Sequence, residues 1–140
     1  MEKRAGDSEL IREAMKAREN AYTPYSHFRV GAALRTAEGK VYRGCNIENA
    51  GYTPSNCAER TAIFKAVSEG ERNFETIAIV AGKEGEELVP PTPCGVCRQV
   101  MMEFCDPKSF RILLATSPED YEVWTLEKIL PLGFGPKDLL

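Results

Sequence analysis

The chain has 140 residues, 43% hydrophobic and 28% charged, the composition of a globular protein large enough to bury a core without disulfide staples. Eighteen basic and 21 acidic residues leave a net charge of −3, and the Lys and Arg residues form no run, which argues against a nucleic-acid backbone as partner. No stretch approaches the ~18 apolar residues of a membrane span; MEKRAGDSEL is too polar for a signal peptide, and five cysteines, an odd number, suit a reducing compartment. The expectation is a cytoplasmic protein with neither membrane nor nucleic acid as partner.

No repeat, low-complexity segment or linker interrupts the chain, so one domain over residues 1–140 is expected. A first helix is predicted from Ser8 to Asn20, with Leu10, Ile11, Ala14, Met15 and Ala21 at helical spacing. YTPYS breaks it. FRVGAALRT and KVYRGCNI read as strands joined by the turn AEGK. A second helix, CAERTAIFKAVSEG, ends at Gly70, and ETIAIVA is a buried strand. After the acidic, Pro-rich loop GKEGEELVPPT, a third helix runs from Pro93 to Cys105, with Thr92 as N-cap and Pro93 at the first helical position. FRILLAT and YEVWTL complete the strands, followed by a short helix EKILPL and the loop GFGPKDLL. The order αββαβαββα predicts an α/β fold, a three-layer α/β/α sandwich around a mixed five-stranded sheet.

Three cysteines stand at the starts of two helices. The helix from Cys57 to Glu69 is about 20 Å long at 1.5 Å per residue. The strand from Glu75 to Ala81 returns about 23 Å at 3.3 Å per residue. Cys57 therefore comes back to the height of Cys94 and Cys97, which lie three apart in one helical turn. Unpaired N–H groups at helix starts stabilise thiolates. Three thiolates around a zinc leave a fourth tetrahedral position open, the pattern of a catalytic rather than a structural site. No fourth ligand is obvious. His27, the only histidine, is distant in sequence; Cys45 and Cys105 remain candidates, although Cys105 lies two turns beyond Cys97.

Each feature alone is ambiguous. C-x-x-C is a redox motif as often as a metal motif. Glu59 also fits a capping box with Asn56 as N-cap. Together, C-A-E at one helix start and P-C-x-x-C at another match the zinc-deaminase signature in its three-cysteine form. A zinc with one open position lowers the pKa of bound water toward ~7, and a neighbouring carboxylate moves the protons. Deamination of an aminopyrimidine needs attack of hydroxide at C4, protonation of N3 and loss of ammonia, and Glu59 is placed to shuttle those protons. Arg60, directly after it, either hydrogen-bonds the thiolates and draws charge from them or is a solvated helix residue.

From YTPYSHFRVGAAL through GCNIENAGYTPSNCAERTAIFKAVSEG and PCGVCRQV to ILPLGFGPKDL, the chain resembles the small homotetrameric zinc-dependent cytidine deaminases. The resemblance implies one zinc per chain on Cys57, Cys94 and Cys97, with Glu59 as proton shuttle and a cytidine or deoxycytidine substrate. It implies that Asn46 and Glu48 bind the ribose hydroxyls, that Phe28 packs against the nucleoside, and that Ala58 lines the same site. It also implies a homotetramer with active sites at subunit interfaces, Phe134 reaching into a neighbour. On spacing alone, Asn46 and Glu48 would read as a polar turn, Phe28 as core with Val30, Ala32 and Leu34, and Phe134 as a tail anchor. Two departures are visible: Thr92 stands where the family often has serine, and Val96 where alanine is usual.

The alternatives are distinct. A related small deaminase could act on a nucleoside antibiotic such as blasticidin S, although CAERTA and NIEN favour the ordinary nucleoside. A polynucleotide editor needs a basic groove with stacking aromatics. A thiol–disulfide oxidoreductase needs only Cys94 and Cys97 and leaves Cys57 and Glu59 without a role. A closed, non-catalytic zinc module would be indifferent to Glu59.

Overall fold

The computed structural model describes residues 1–140. Helix α1 (Asp7–Arg18) precedes a hairpin of β1 (Phe28–Thr36) and β2 (Val41–Cys45), followed by α2 (Ala58–Ser68) and β3 (Phe74–Lys83). Helix α3 (Gly95–Phe104), strands β4 (Arg111–Ala115) and β5 (Tyr121–Thr125), and a single turn of helix, α4 (Leu126–Ile129), complete the regular elements. The five strands lie in the order β2-β1-β3-β4-β5. Only β3 and β4 run parallel, so the sheet is mixed as expected.

Successive side chains on a strand point to opposite faces, and the core divides accordingly. Ala33, Ala78, Val80, Leu113 and Ala115 meet Leu10, Ile11 and Ala14 of α1. Ala32, Leu34, Ile77, Ile79 and Ile112 meet α2, α3 and α4 on the other side. The result is the predicted α/β/α sandwich. The alternation also explains how β1 and β3 serve both layers while reading as nearly continuous apolar runs.

Several boundaries differ from the sequence expectation. Helix α1 starts one residue earlier, because Gly6 at φ 90° turns the chain into it, and stops at Arg18. Met15 is 36% exposed, off the stripe made by Leu10, Ile11, Ala14 and Ala17. Pro136–Asp138 form a short 3-10 turn inside the expected C-terminal loop.

The placement of α2 depends on Gly44. A Cβ there would lie 2.4 Å from both the Ala58 carbonyl oxygen and the Ala62 amide nitrogen, so helix backbone rests directly on β2. Ala58, Ala62 and Ala66, all fully buried, form the matching small-residue face. That close approach sets the depth at which Cys57 and Glu59 enter the site. Gly31 performs the same service for α1, where a Cβ would stand 2.1 Å from the Ala14 oxygen.

Candidate active site

The first turns of α2 and α3 meet at the end of the sheet where β1 begins and β3 finishes. There Cys57, Cys94 and Cys97 converge, their Sγ atoms all within 4.8 Å of one another. The Cys57 and Cys94 sulfurs are 3.8 Å apart. A tetrahedron with metal–sulfur bonds near 2.3 Å has edges of about 3.8 Å. The donor set therefore fits a thiophilic divalent ion. The cluster contains no fourth Cys, His, Asp or Glu. Cys45 and Cys105 lie outside it, their thiols pushed up by burial. His27 faces Glu84 across 3.3 Å at the surface.

The caps differ from those predicted. Helix α2 is capped by Cys57 in extended conformation, without a side-chain bond. The Asn56 amide donates to the Thr61 hydroxyl (3.1 Å), and its backbone N–H goes to Ile47 (2.9 Å). The expected Asn56–Glu59 capping box is therefore absent: Asn56 is drawn into a two-residue bridge with Ile47. Helix α3 is capped by Cys94, not Thr92. Its sulfur accepts the Cys97 N–H at 3.5 Å, and residues 92–93 stay outside the helix. In both helices a cysteine occupies the position where backbone dipoles favour a negative sulfur.

Arg60 Nη2 donates to Cys57 Sγ at 3.3 Å. The bonds from Cys97 and Arg60 outweigh burial and push the Cys57 thiol down to about 5. Cys97 moves the opposite way, raised by its bond to Cys57 and by burial. Glu59 is 4% exposed. Burial pushes its carboxyl up to about 7, against the lowering effect of its own backbone N–H.

Cys57, Cys94, Glu59 and Arg60 line one side of an open cavity of about 710 Å³, with Cys97 buried behind them. Phe28, Asn46, Glu48 and Ala58 line it as well, so these sequence-predicted residues share one space with Cys57, Cys94, Glu59 and Arg60. The Asn46 amide is clamped to β1, donating to the Phe28 carbonyl (2.9 Å) and accepting from the Val30 N–H (2.9 Å). Glu48 Oε1 accepts the backbone N–H groups of Tyr25 (3.0 Å) and Ser26 (3.2 Å). Phe134 is not in this cavity. It is 57% exposed on the tail, which Gln99 holds to α3 through the Phe134 carbonyl (2.8 Å).

Tyr52, Thr53, Ser55, Pro90, Pro91 and Val96 also line the cavity. Sequence reasoning assigned none of the first five, and YTPSN carried no reading at all. No local pattern marks them: the Ile47–Asn56 bridge closes the loop that brings Tyr52, Thr53 and Ser55 to the cavity.

Comparison with known proteins identifies relatives over nearly the whole chain. Residues 4–112 match the family described as the cytidine and deoxycytidylate deaminase zinc-binding region. A cytidine deaminase of Sporosarcina psychrophila is 53% identical over 130 residues, covering 93% of this chain and 92% of that protein. A cytidine deaminase of Halalkalibacterium halodurans is 50% identical, covering 93% and 95%. The crystal structure of cytidine deaminase from Burkholderia pseudomallei superposes with a TM-score of 0.81 at 48% identity, covering 90% of this chain and 97% of that one. The structure of the Mycobacterium tuberculosis cytidine deaminase gives 0.79 at 33% identity, covering 94% and 99%. Fold, thiol cluster and sequence relatives converge, and the chain belongs to the cytidine deaminase family.

Proposed function

We propose that this protein hydrolyses cytidine and deoxycytidine to uridine and deoxyuridine with release of ammonia, a pyrimidine-salvage reaction, using one zinc per chain held by Cys57, Cys94 and Cys97. The observation that carries the proposal is a buried carboxyl, Glu59, set beside a three-thiol cluster at the wall of an open cavity. The chemistry zinc supplies when bound is Lewis acidity, which makes water a competent nucleophile near neutral pH.

The chain's own residues supply the rest. Hydrolysis at C4 requires the attacking water to lose a proton, ring N3 to gain one, and the amino group to leave as ammonia. Glu59, with its carboxyl near 7, is the group suited to take and return protons at that pH. Ala58 occupies the first helical position of α2, where a backbone N–H has no partner within the helix and is free for a pyrimidine acceptor. Arg60 offsets the negative charge of three thiolates through Cys57. Glu48 and Asn46 present polar atoms to a ribose, and Phe28 packs against the nucleoside.

The sole cationic side chain lining the cavity, Arg60, is engaged with Cys57, while Glu48 and Glu59 are acidic. That balance favours an uncharged nucleoside over a nucleotide or a nucleic-acid strand. No helix is long and apolar enough to cross a membrane, and all five cysteines are free, in keeping with a reducing, cytoplasmic setting. We read residues 1–140 as one cytidine deaminase-like domain and the working form as a homotetramer, in which the exposed Phe134 would serve a neighbour's site.

The test is a cytidine-to-uridine assay on wild type and Glu59→Gln with zinc quantitation. The variant is expected to keep about one zinc per chain and to lose turnover. Retained turnover would overturn the role of Glu59, and faster turnover of blasticidin S than of cytidine would replace the substrate.

A further inference from the structure

Phe28, Asn46 and Glu48 line the cavity from two different segments, and one residue outside its lining ties them together. The Ser26 hydroxyl donates to Glu48 Oε2 and accepts the Phe28 N–H at 3.0 Å. Phe28 in turn offers its carbonyl to Asn46. Glu48, Ser26, Phe28 and Asn46 thus form an unbroken run of hydrogen bonds along the cavity mouth. Both partners of Ser26 lie at or beyond the ends of regular structure. Glu48 lies in the loop after β2, and Phe28 is the first residue of β1, entered through His27 at φ 57°.

The bonds also fix how Glu48 presents itself. A carboxylate has about four acceptor positions. Two on Oε1 go to the Tyr25 and Ser26 N–H groups, and one on Oε2 goes to the Ser26 hydroxyl. One acceptor position on Oε2 is left for a ligand hydroxyl. The same bonds hold the Glu48 carboxyl below the usual carboxylate range, the Ser26 hydroxyl contributing most. It is therefore an acceptor for a sugar hydroxyl at neutral pH.

We propose that Ser26 is a positioning residue for the sugar end of the substrate: its hydroxyl locks Glu48 and Phe28 into one arrangement and leaves a single Glu48 acceptor position facing the cavity. This rests on the reading of Glu48 as a ribose-binding residue. Ser26 is exposed and belongs to no regular element, so removing its hydroxyl disturbs the site and not the core.

The experiment measures kcat and KM for cytidine with the zinc-loaded wild type, Ser26→Ala, Ser26→Thr, Glu48→Gln and the Ser26→Ala/Glu48→Gln double variant. Ser26→Ala is expected to raise KM roughly tenfold, the scale of losing a hydrogen bond to a charged group, with kcat nearly unchanged. Ser26→Thr, which keeps the hydroxyl, is expected to restore KM. The double variant is expected to fall well short of the sum of the two single effects, because Ser26 acts chiefly through Glu48. An unchanged KM in Ser26→Ala, with KM raised in Glu48→Gln, overturns this proposal alone. An unchanged KM in Glu48→Gln overturns the ribose-binding reading and this proposal together. Full additivity in the double variant overturns action through Glu48.

Discussion

Asp7 and Glu59 are both carboxylates removed from water, one on each face of the sheet, at 0% and 4% exposure. Their protons are treated in opposite ways. Asp7, in the first turn of α1, accepts Arg111 Nη1 on Oδ1 (2.7 Å). Its Oδ2 accepts Arg111 Nη2 (2.8 Å), the Arg4 N–H (2.8 Å) and the Tyr121 hydroxyl (3.0 Å). Burial alone would raise its pKa, but these donors outweigh burial and hold the carboxyl below its ordinary value. Glu59 has no such set of donors and is raised to about 7. Burial by itself does not tell whether a charged group is structural or chemical. The donors supplied with it decide. The α1 face holds its carboxyl below the ordinary value as an ion-paired anchor, and the α2–α3 face leaves its carboxyl raised by burial.

The contrast can be broken at either end. Glu59→Gln is expected to lower kcat/KM by roughly 10²–10⁴, the usual share of a general acid–base group, without loss of thermal stability. Asp7→Ala is expected to do the reverse. It strands the fully buried Arg111, whose Nε already lacks a partner, and should cost about 3–5 kcal/mol in urea unfolding, with turnover per folded molecule unchanged. A stability equal to wild type would remove Asp7 from its anchoring role.

Acid sharpens the same point. Because the folded Asp7 pKa is lowered, its contribution to stability is complete above the unfolded value of about 3.9 and is lost as pH falls through the folded value. Unfolding curves at about pH 5 and about pH 3 should therefore converge between wild type and Asp7→Asn at the lower pH. The smallest effect is expected from Tyr121→Phe. It deletes one of the four donors to Asp7 and should cost about 1–2 kcal/mol, leaving the ion pair intact.

The legible part of the molecule was its periodicity. Alternating apolar strands and helices of matching length implied three layers and brought two helix starts to one height, and with them Cys57, Cys94, Cys97 and Glu59. What could not be read are bonds between segments far apart in the chain that no local pattern encodes. Asp7 and Arg111 are 104 residues apart, and an Arg in a short apolar strand gave no hint of its partner. Ser26 and Glu48 meet across 22 residues because Tyr22 pairs with Ile47 in an isolated parallel bridge, its backbone bonding Asn46 and Glu48. The caps were misassigned for a related reason. Thr92 and Asn56 are better N-cap formers than cysteine by local propensity. The start moved by a residue or more, with Asn56 drawn into the 47–56 bridge in one case and Cys94 itself extended as the cap in the other.

By itself, the sequence determined the α/β architecture and the convergence of Cys57, Cys94 and Cys97, because helix and strand rise are local properties and set where residues return along the chain. Only the tertiary structure decided how deep α2 sits on Gly44 and that Arg60 reaches Cys57. It also decided which donors reach each buried carboxyl and which loop closes over the cavity. Those features depend on backbone approach and on partners brought together by folding, which shift the protonation of each buried carboxyl.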